Sequence, residues 1–269
     1  METTQRYKGN VTCAYNSFKP LKDDVFWYGC EFEFYLCSDY TIDNVRDALR
    51  NITPCDILVD MTYLPAEEDK DWCMQIKSDA SLGENGVEIS VPISTKEGIL
   101  HFIEQILPII GKFGYTDSDT GLHLHMSVRK NKHVDFYLFM LLCNEKGLLD
   151  AWLPRVGYSQ NVMDVLSICK ARHARTVKRK KGPIWNLEKV ENGHIEIRTI
   201  GGKDYHKEPA RIKEEFLLYA DLFEEATKRK TSEHIALIQK QKERVEKSDS
   251  ECQKRYAFVL QQAGLLPRS

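Results

Sequence analysis

VFWYGCEFEFYLC, residues 25–37, is rich in aromatic residues behind a β-branched Val25 and reads as a buried strand. Side chains alternate faces along a strand, so Glu31 and Glu33 project together on either side of Phe32. They share that face with Trp27 and Tyr35, an unusual company for plain solvent exposure. The strand as a whole is too apolar for an edge facing water. Carboxylates buried in such a strand cost free energy unless cations compensate them.

Working outward, other segments repeat the device of two polar groups on one face. GLHLHMSV, residues 121–128, alternates cleanly and sets His123 and His125 around Leu124. HIEIRTI, residues 194–200, sets Glu196 and Arg198 around Ile197. Residues 73–78 and 86–93 read as two strands joined by a turn, DASLGENG, that carries Asp79 and Ser81 and leads to Glu88. Between the strands lie helical patterns. One is capped by Thr41 and runs to about Arg50, with Ile42, Val45 and Leu49 on one face. Another covers residues 95–113, where Pro108 should kink it or end it early. Two more are expected over 134–150 and 159–169, before a basic loop from Lys170 to Lys181. From about Lys207 the pattern is helical, in segments broken near Lys230 and Ser248.

This order predicts an α+β fold with an antiparallel or mixed sheet and a helical C-terminal region. The expected division is a catalytic core over 1–206 and helices over 207–269 packed on it. The C-terminal helices, rich in Lys and Glu, read as a solvated packing layer or a homo-oligomer contact.

Composition narrows the function classes. A 42% hydrophobic and 29% charged chain of 269 residues has material for a sizeable core, which argues against disorder. A net charge of -2 offers no basic field for nucleic acid as the main partner. Eight cysteines with no C-x-x-C pair read as reduced thiols packed in apolar runs. The N-terminal METTQRYKGN lacks a signal-peptide core, and no apolar run approaches the roughly 18 residues that span a membrane. The expectation is a cytoplasmic protein with no membrane partner.

Glutamates and histidines together, without thiolates, suit Mg²⁺ or Mn²⁺ rather than structural zinc. Hard divalent ions held by several carboxylates in one cleft usually bridge the phosphates of a nucleotide.

Four segments, in order, resemble motifs of one superfamily. GCEFEFYL (Gly29 to Leu36) resembles the G-x-E-x-E-F strand of glutamine synthetases and related carboxylate–amine ligases. GLHLHMSV is similar to their G-x-H-x-H-x-S strand, and HIEIRTIGG (His194 to Gly202) to their I-E-x-R strand. DASLGENGVEISVP (Asp79 to Pro92) resembles a segment of the smaller amidoligase branch, which includes relatives of glutamate–cysteine ligase. The resemblance covers about residues 25–205. It implies a curved, mainly antiparallel sheet of the glutamine-synthetase catalytic type, with helices on the convex face.

The resemblance also implies roles. Glu31, Glu33, Glu88, His123 and Glu196 would be metal ligands for Mg²⁺, with Mn²⁺ tolerated. His125, Ser127 and Asn186 would lie beside ATP, and Asp79 and Ser81 beside the substrate. Arg198, with Arg172 and Arg175 in KARHART, would neutralise charge during phosphoryl transfer. The implied activity is an ADP-forming ligase that activates a small-molecule or peptide carboxylate as an acyl phosphate and traps it with an amine. Two alternatives stand beside it: an ATP:guanido-type phosphotransferase of the same fold, and a non-catalytic nucleotide-binding or scaffold protein. The chain is much shorter than full glutamine synthetases and has no separate N-terminal domain of their kind, so glutamate and ammonia are not implied as substrates.

Overall fold

The computed structural model describes residues 5–10, 18–53, 55–60, 72–79, 81–129, 132–148, 152 and 184–247, with the backbone alone for 241–247. The expected helix over 159–169, the basic loop with Arg172 and Arg175, and the helical segment after Ser248 lie outside the described residues.

The chain is α+β. In order, the described elements are β1 (Gln5–Tyr7), β2 (Phe26–Leu36), α1 (Ile42–Arg50), β3 (Ile57–Asp60), β4 (Met74–Ser78), β5 (Gly86–Ser90), α2 (Lys96–Phe113), β6 (Gly114–Tyr115) and β7 (Gly121–Val128). They continue with α3 (Phe136–Glu145), β8 (Trp185–Asn186), β9 (His194–Gly201), α4 (Pro209–Glu225) and α5 (Ser232–Lys247). Among the described residues no helix is long and apolar enough to cross a membrane.

Two compact units divide the chain. The first comprises Met1–Ser127 and Ile200–Leu217, the second Val128–Thr199 and Leu218–Ser269. The first unit holds strands in the order β1-β3-β4-β5-β2-β7, with β6 also paired to β2. Pairing is antiparallel for β1·β3, β4·β5, β2·β5 and β2·β6 and parallel for β3·β4, so the sheet is mixed and mostly antiparallel.

Alternation along these strands divides the sheet into two chemistries. Phe32 and Phe34 of β2, Ile89 of β5, Ile76 of β4 and Leu122, Leu124 and Met126 of β7 are fully buried. Helix α2 packs against β2 and supplies Phe102, Ile103, Ile106 and Ile110, also fully buried. Each such side chain contributes about 1.5–3 kcal/mol by leaving water. Thr95 starts α2 by accepting from the Gly98 amide at 3.3 Å. Pro108 does not end the helix early; α2 runs on to Phe113. Ile109, Ile110 and Phe113 beyond the proline are buried, and their packing outweighs the hydrogen bond the proline ring removes.

Helix α1 begins where expected. The Thr41 amide donates to the Asn44 side chain at 2.8 Å, and Val45 and Leu49 face inward. Gly114 pairs with Leu36 so closely that an added Cβ would lie 2.3 Å from the Tyr35 carbonyl oxygen.

In the second unit, β8 pairs antiparallel with β9, placing Trp185 opposite Ile197 and Asn186 opposite Glu196. Phe139 of α3 meets Trp185 edge-on at 5.7 Å and Phe223 of α4 at 5.5 Å. Helix α3 is shorter than the expected 134–150. Asp135 caps its start by accepting from Leu138, and Gly147 at φ 70 turns the chain out of the helix.

Candidate metal centre

In the first unit, strand register assembles an ionic face. Glu33 of β2 lies opposite Glu88 of β5, and Glu88 lies opposite Lys77 of β4. Glu31 lies opposite Ser90. Because partners across a sheet point to the same side, Glu31, Glu33, Glu88 and Lys77 share one face, opposite the one that Phe32, Phe34 and Ile89 occupy.

Strand β7, next to β2, brings the imidazoles. His123 Nδ1 lies 3.4 Å from Glu31 Oε2, and His123 Nε2 lies 3.3 Å from Glu33 Oε1. His125 Nε2 lies 3.3 Å from Glu31 Oε1. Gly29 lies against the His125 side chain, where an added Cβ would make ordinary contact with the His125 Cβ at 3.5 Å. The Glu33 and His123 side chains are 4% and 2% exposed, whereas Glu31 keeps 25%. The set is thus closed at Glu33 and open at Glu31. The backbone of β2 is anchored beneath it, with the Tyr205 hydroxyl donating to the Glu33 carbonyl at 2.8 Å.

The charges are strongly coupled. Burial is the largest influence on Glu31 and pushes its carboxyl up, but His125 and His123 together outweigh it and hold the group well below the usual range. For Glu88, burial and then the neighbouring Glu31 charge push the carboxyl up, against the pull of Lys77 and Ser90. Lys77 Nζ sits 2.7 Å from Glu88 Oε1, and the Ser90 hydroxyl donates to the same oxygen at 2.6 Å. Burial lowers the Lys77 ammonium, but Glu88, with Glu31 and Asp79 behind it, reverses the sign and raises it. Burial, then Glu31, drives the Cys30 thiol far up, so this cysteine packs as a small hydrophobe and is no nucleophile.

The donor set fits a hard divalent cation. Three carboxylates and two imidazoles share one face, no thiolate is among them, and Glu31 raises Glu88 by repulsion that a cation relieves. Glu31 and His123 each offer a ligand atom to such an ion. Ser127 is half-buried and lies on the His123–His125 side of β7 by alternation.

Asp79 and Ser81 are engaged with each other. The Ser81 amide and hydroxyl both donate to Asp79 Oδ1, at 2.8 and 2.7 Å, which closes the turn between β4 and β5. Gly86 completes that turn, since an added Cβ would lie 2.3 Å from the Leu82 Cβ. The turn geometry therefore accounts for both residues.

The second unit carries its own ionic group. Glu196 is buried; its Oε2 accepts from the Asn186 side chain at 2.7 Å and its Oε1 accepts from Arg198 Nη1. The Arg198 amide donates to the Ile184 carbonyl at 2.7 Å, which holds the strand in place. Asn186 is thus fixed by pairing with Glu196 across β8 and β9. Arg172 and Arg175 lie outside the described residues.

Lys77 and Ser90 are the residues that sequence reading did not single out. The signal was present: Lys77 precedes Asp79 by two, and Ser90 follows Glu88 by two, so both had the right strand parity. Only the register showed that parity to be shared with Glu33. The chain matches no family model and no curated protein.

Proposed function

We propose that this chain is an ATP-dependent carboxylate–amine ligase that works with Mg²⁺ or Mn²⁺ and forms an amide or isopeptide bond through an acyl phosphate. The observation that carries the reading is the face shared by Glu31, Glu33, Glu88, His123 and His125, the residues that the motif resemblance marks. Three carboxylates gathered on one face draw cations to it, and Glu31 pushes the Glu88 carboxyl up by repulsion that a divalent ion would relieve. The chemistry such an ion supplies is charge neutralisation on the phosphate oxygens of ATP.

The substrate carboxylate oxygen attacks the γ-phosphorus and ADP leaves. The amine nitrogen then attacks the acyl carbon, phosphate leaves, and the nitrogen loses a proton. The protein's part is positioning and charge. Glu31 and Glu33 are pre-set by His123 and His125. The motif resemblance gives Arg198 the role of cation for the transferring phosphoryl group; within its own unit Glu196 orients it, and Asn186 fixes Glu196 in turn. A bidentate guanidinium suits two oxygens of a phosphoryl group.

The test is release of ADP and phosphate that requires Mg²⁺, a carboxylate and an amine together, with the amide detected by mass spectrometry. A phosphorylated acceptor without amide would instead assign a phosphotransferase. Calorimetry showing no binding of Mg-ATP would leave a scaffold protein.

A further inference from the structure

Lys77 is the cation that the motifs do not explain. Its ammonium is placed on the metal-binding face by strand register, in a row that runs Lys77, Glu88, Glu33 across β4, β5 and β2. Adjacent strands are about 4.8 Å apart, so the row keeps Lys77 within one side-chain length of the carboxylate face. Lys77 and Ser90 converge on the same oxygen, Oε1 of Glu88. An arginine at this position would grip both oxygens in a fixed fork; a lysine holds one, on a flexible stem, and can leave it. Lys77 is also a third exposed, so a route for its movement is open.

We propose that Lys77 is an exchangeable counter-cation: it neutralises Glu88 in the metal-free protein, yields Glu88 to a divalent ion, and then binds an oxygen of the polyphosphate which that ion brings. The inference rests on the metal-dependent reading above and deepens it by assigning a phosphate-binding residue outside the motif positions. It has a signature that a plain surface ion pair lacks. Loss of the ammonium should affect the metal and the phosphate in opposite directions. For the metal, a repelling unit charge several ångströms away disappears; for the phosphate, an attracting one does.

The experiment uses the full chain, stripped of metal by chelation, as wild type, Lys77→Met and Lys77→Arg, with melting curves confirming the fold. Calorimetry first measures Mn²⁺ alone, then tripolyphosphate at saturating Mn²⁺. Lys77→Met should bind Mn²⁺ about ten-fold more tightly and tripolyphosphate about ten-fold more weakly, the scale of one unit charge at that distance in a partly solvated site. Lys77→Arg, whose fork would keep hold of Glu88, should bind both Mn²⁺ and tripolyphosphate more weakly than wild type. A Lys77→Met protein with a lowered melting temperature but both affinities unchanged, or moved in the same direction, overturns the inference and leaves a structural ion pair. If Lys77→Met does not fold, Lys77→Gln takes its place under the same criteria, and failure of both to fold equally makes Lys77 structural. Wild type that binds no Mn²⁺ removes the metal-dependent reading itself, and Lys77's role with it. Wild type that binds Mn²⁺ while the variants match it removes Lys77 alone.

Discussion

Consider Glu31→Gln in the metal-free protein. Charge counting predicts that deleting one of three neighbouring carboxylates relieves repulsion and stabilises the fold. The geometry predicts the reverse, because the Glu31 oxygens lie 3.3 and 3.4 Å from His125 and His123. At that separation and an effective dielectric of about 20, a fully charged pair attracts by roughly 5 kcal/mol. Desolvation of the near-buried His123 and the partial exposure of Glu31 take back most of this, leaving about 2 kcal/mol. At about 2–4 °C per kcal/mol for a chain of this size, the melting temperature should fall by about 4–8 °C at pH 6 in chelator. The sign with pH follows from the lowered Glu31 carboxyl. Its contribution is present above the unfolded value, about 4.3, and is lost as pH falls through the lower folded value, whereas Glu31→Gln has nothing to lose there. The two melting curves should therefore converge in strong acid. Saturating Mn²⁺ should widen the gap at pH 7, since the variant lacks a donor. A metal-free variant more stable than wild type at pH 6 would refute the histidine–carboxylate account of this face.

Arg198→Lys should keep ATP affinity within a few-fold and lower kcat by roughly two to three orders of magnitude in steady-state kinetics. If Arg198 only pairs with Glu196, the melting temperature falls and kcat stays. Asn186→Ala removes the donor on Glu196 Oε2 and should cost about 1–3 kcal/mol in denaturant titration. Gly114→Ala forces a Cβ to 2.3 Å from the Tyr35 carbonyl oxygen, and since backbone cannot yield cheaply it should cost about 1–3 kcal/mol by the same measurement. The Tyr35 phenol is pushed up to about 12, mainly by its hydrogen bond to Asp119 at 2.6 Å. Ultraviolet titration of Asp119→Asn should show that phenol returning toward about 10, the ordinary value. Being a raised acid, Tyr35 adds its share of stability below the unfolded value and loses it as pH rises through about 12.

Strand β2 was legible in the sequence because its signal is local. Residues 26–36 are rich in aromatics, and period two puts Glu31 and Glu33 on one side whatever the strand pairs with. The same holds for His123 and His125 on β7 and for Glu196 and Arg198 on β9. Thr41 ahead of an apolar period of 3.6 likewise announced α1. Helix α2 was harder, since Pro108 argues locally for an end and the packing of Phe113 decides otherwise.

Parity says which residues share a face of one strand; it cannot say which strands are neighbours or at what offset, and a one-residue slip exchanges the two faces. Thus the sequence alone determined the residue types of the site and their pairing within each strand. That Glu33 faces Glu88 and Glu88 faces Lys77, and that two imidazoles reach Glu31, is a matter of register and strand order, which non-local packing of Phe32, Ile89 and Leu124 sets. The lowered Glu31 and raised Glu88 follow from those placements, because the energy of a charge depends on its distance from others and from water, and neither distance is written in the chain.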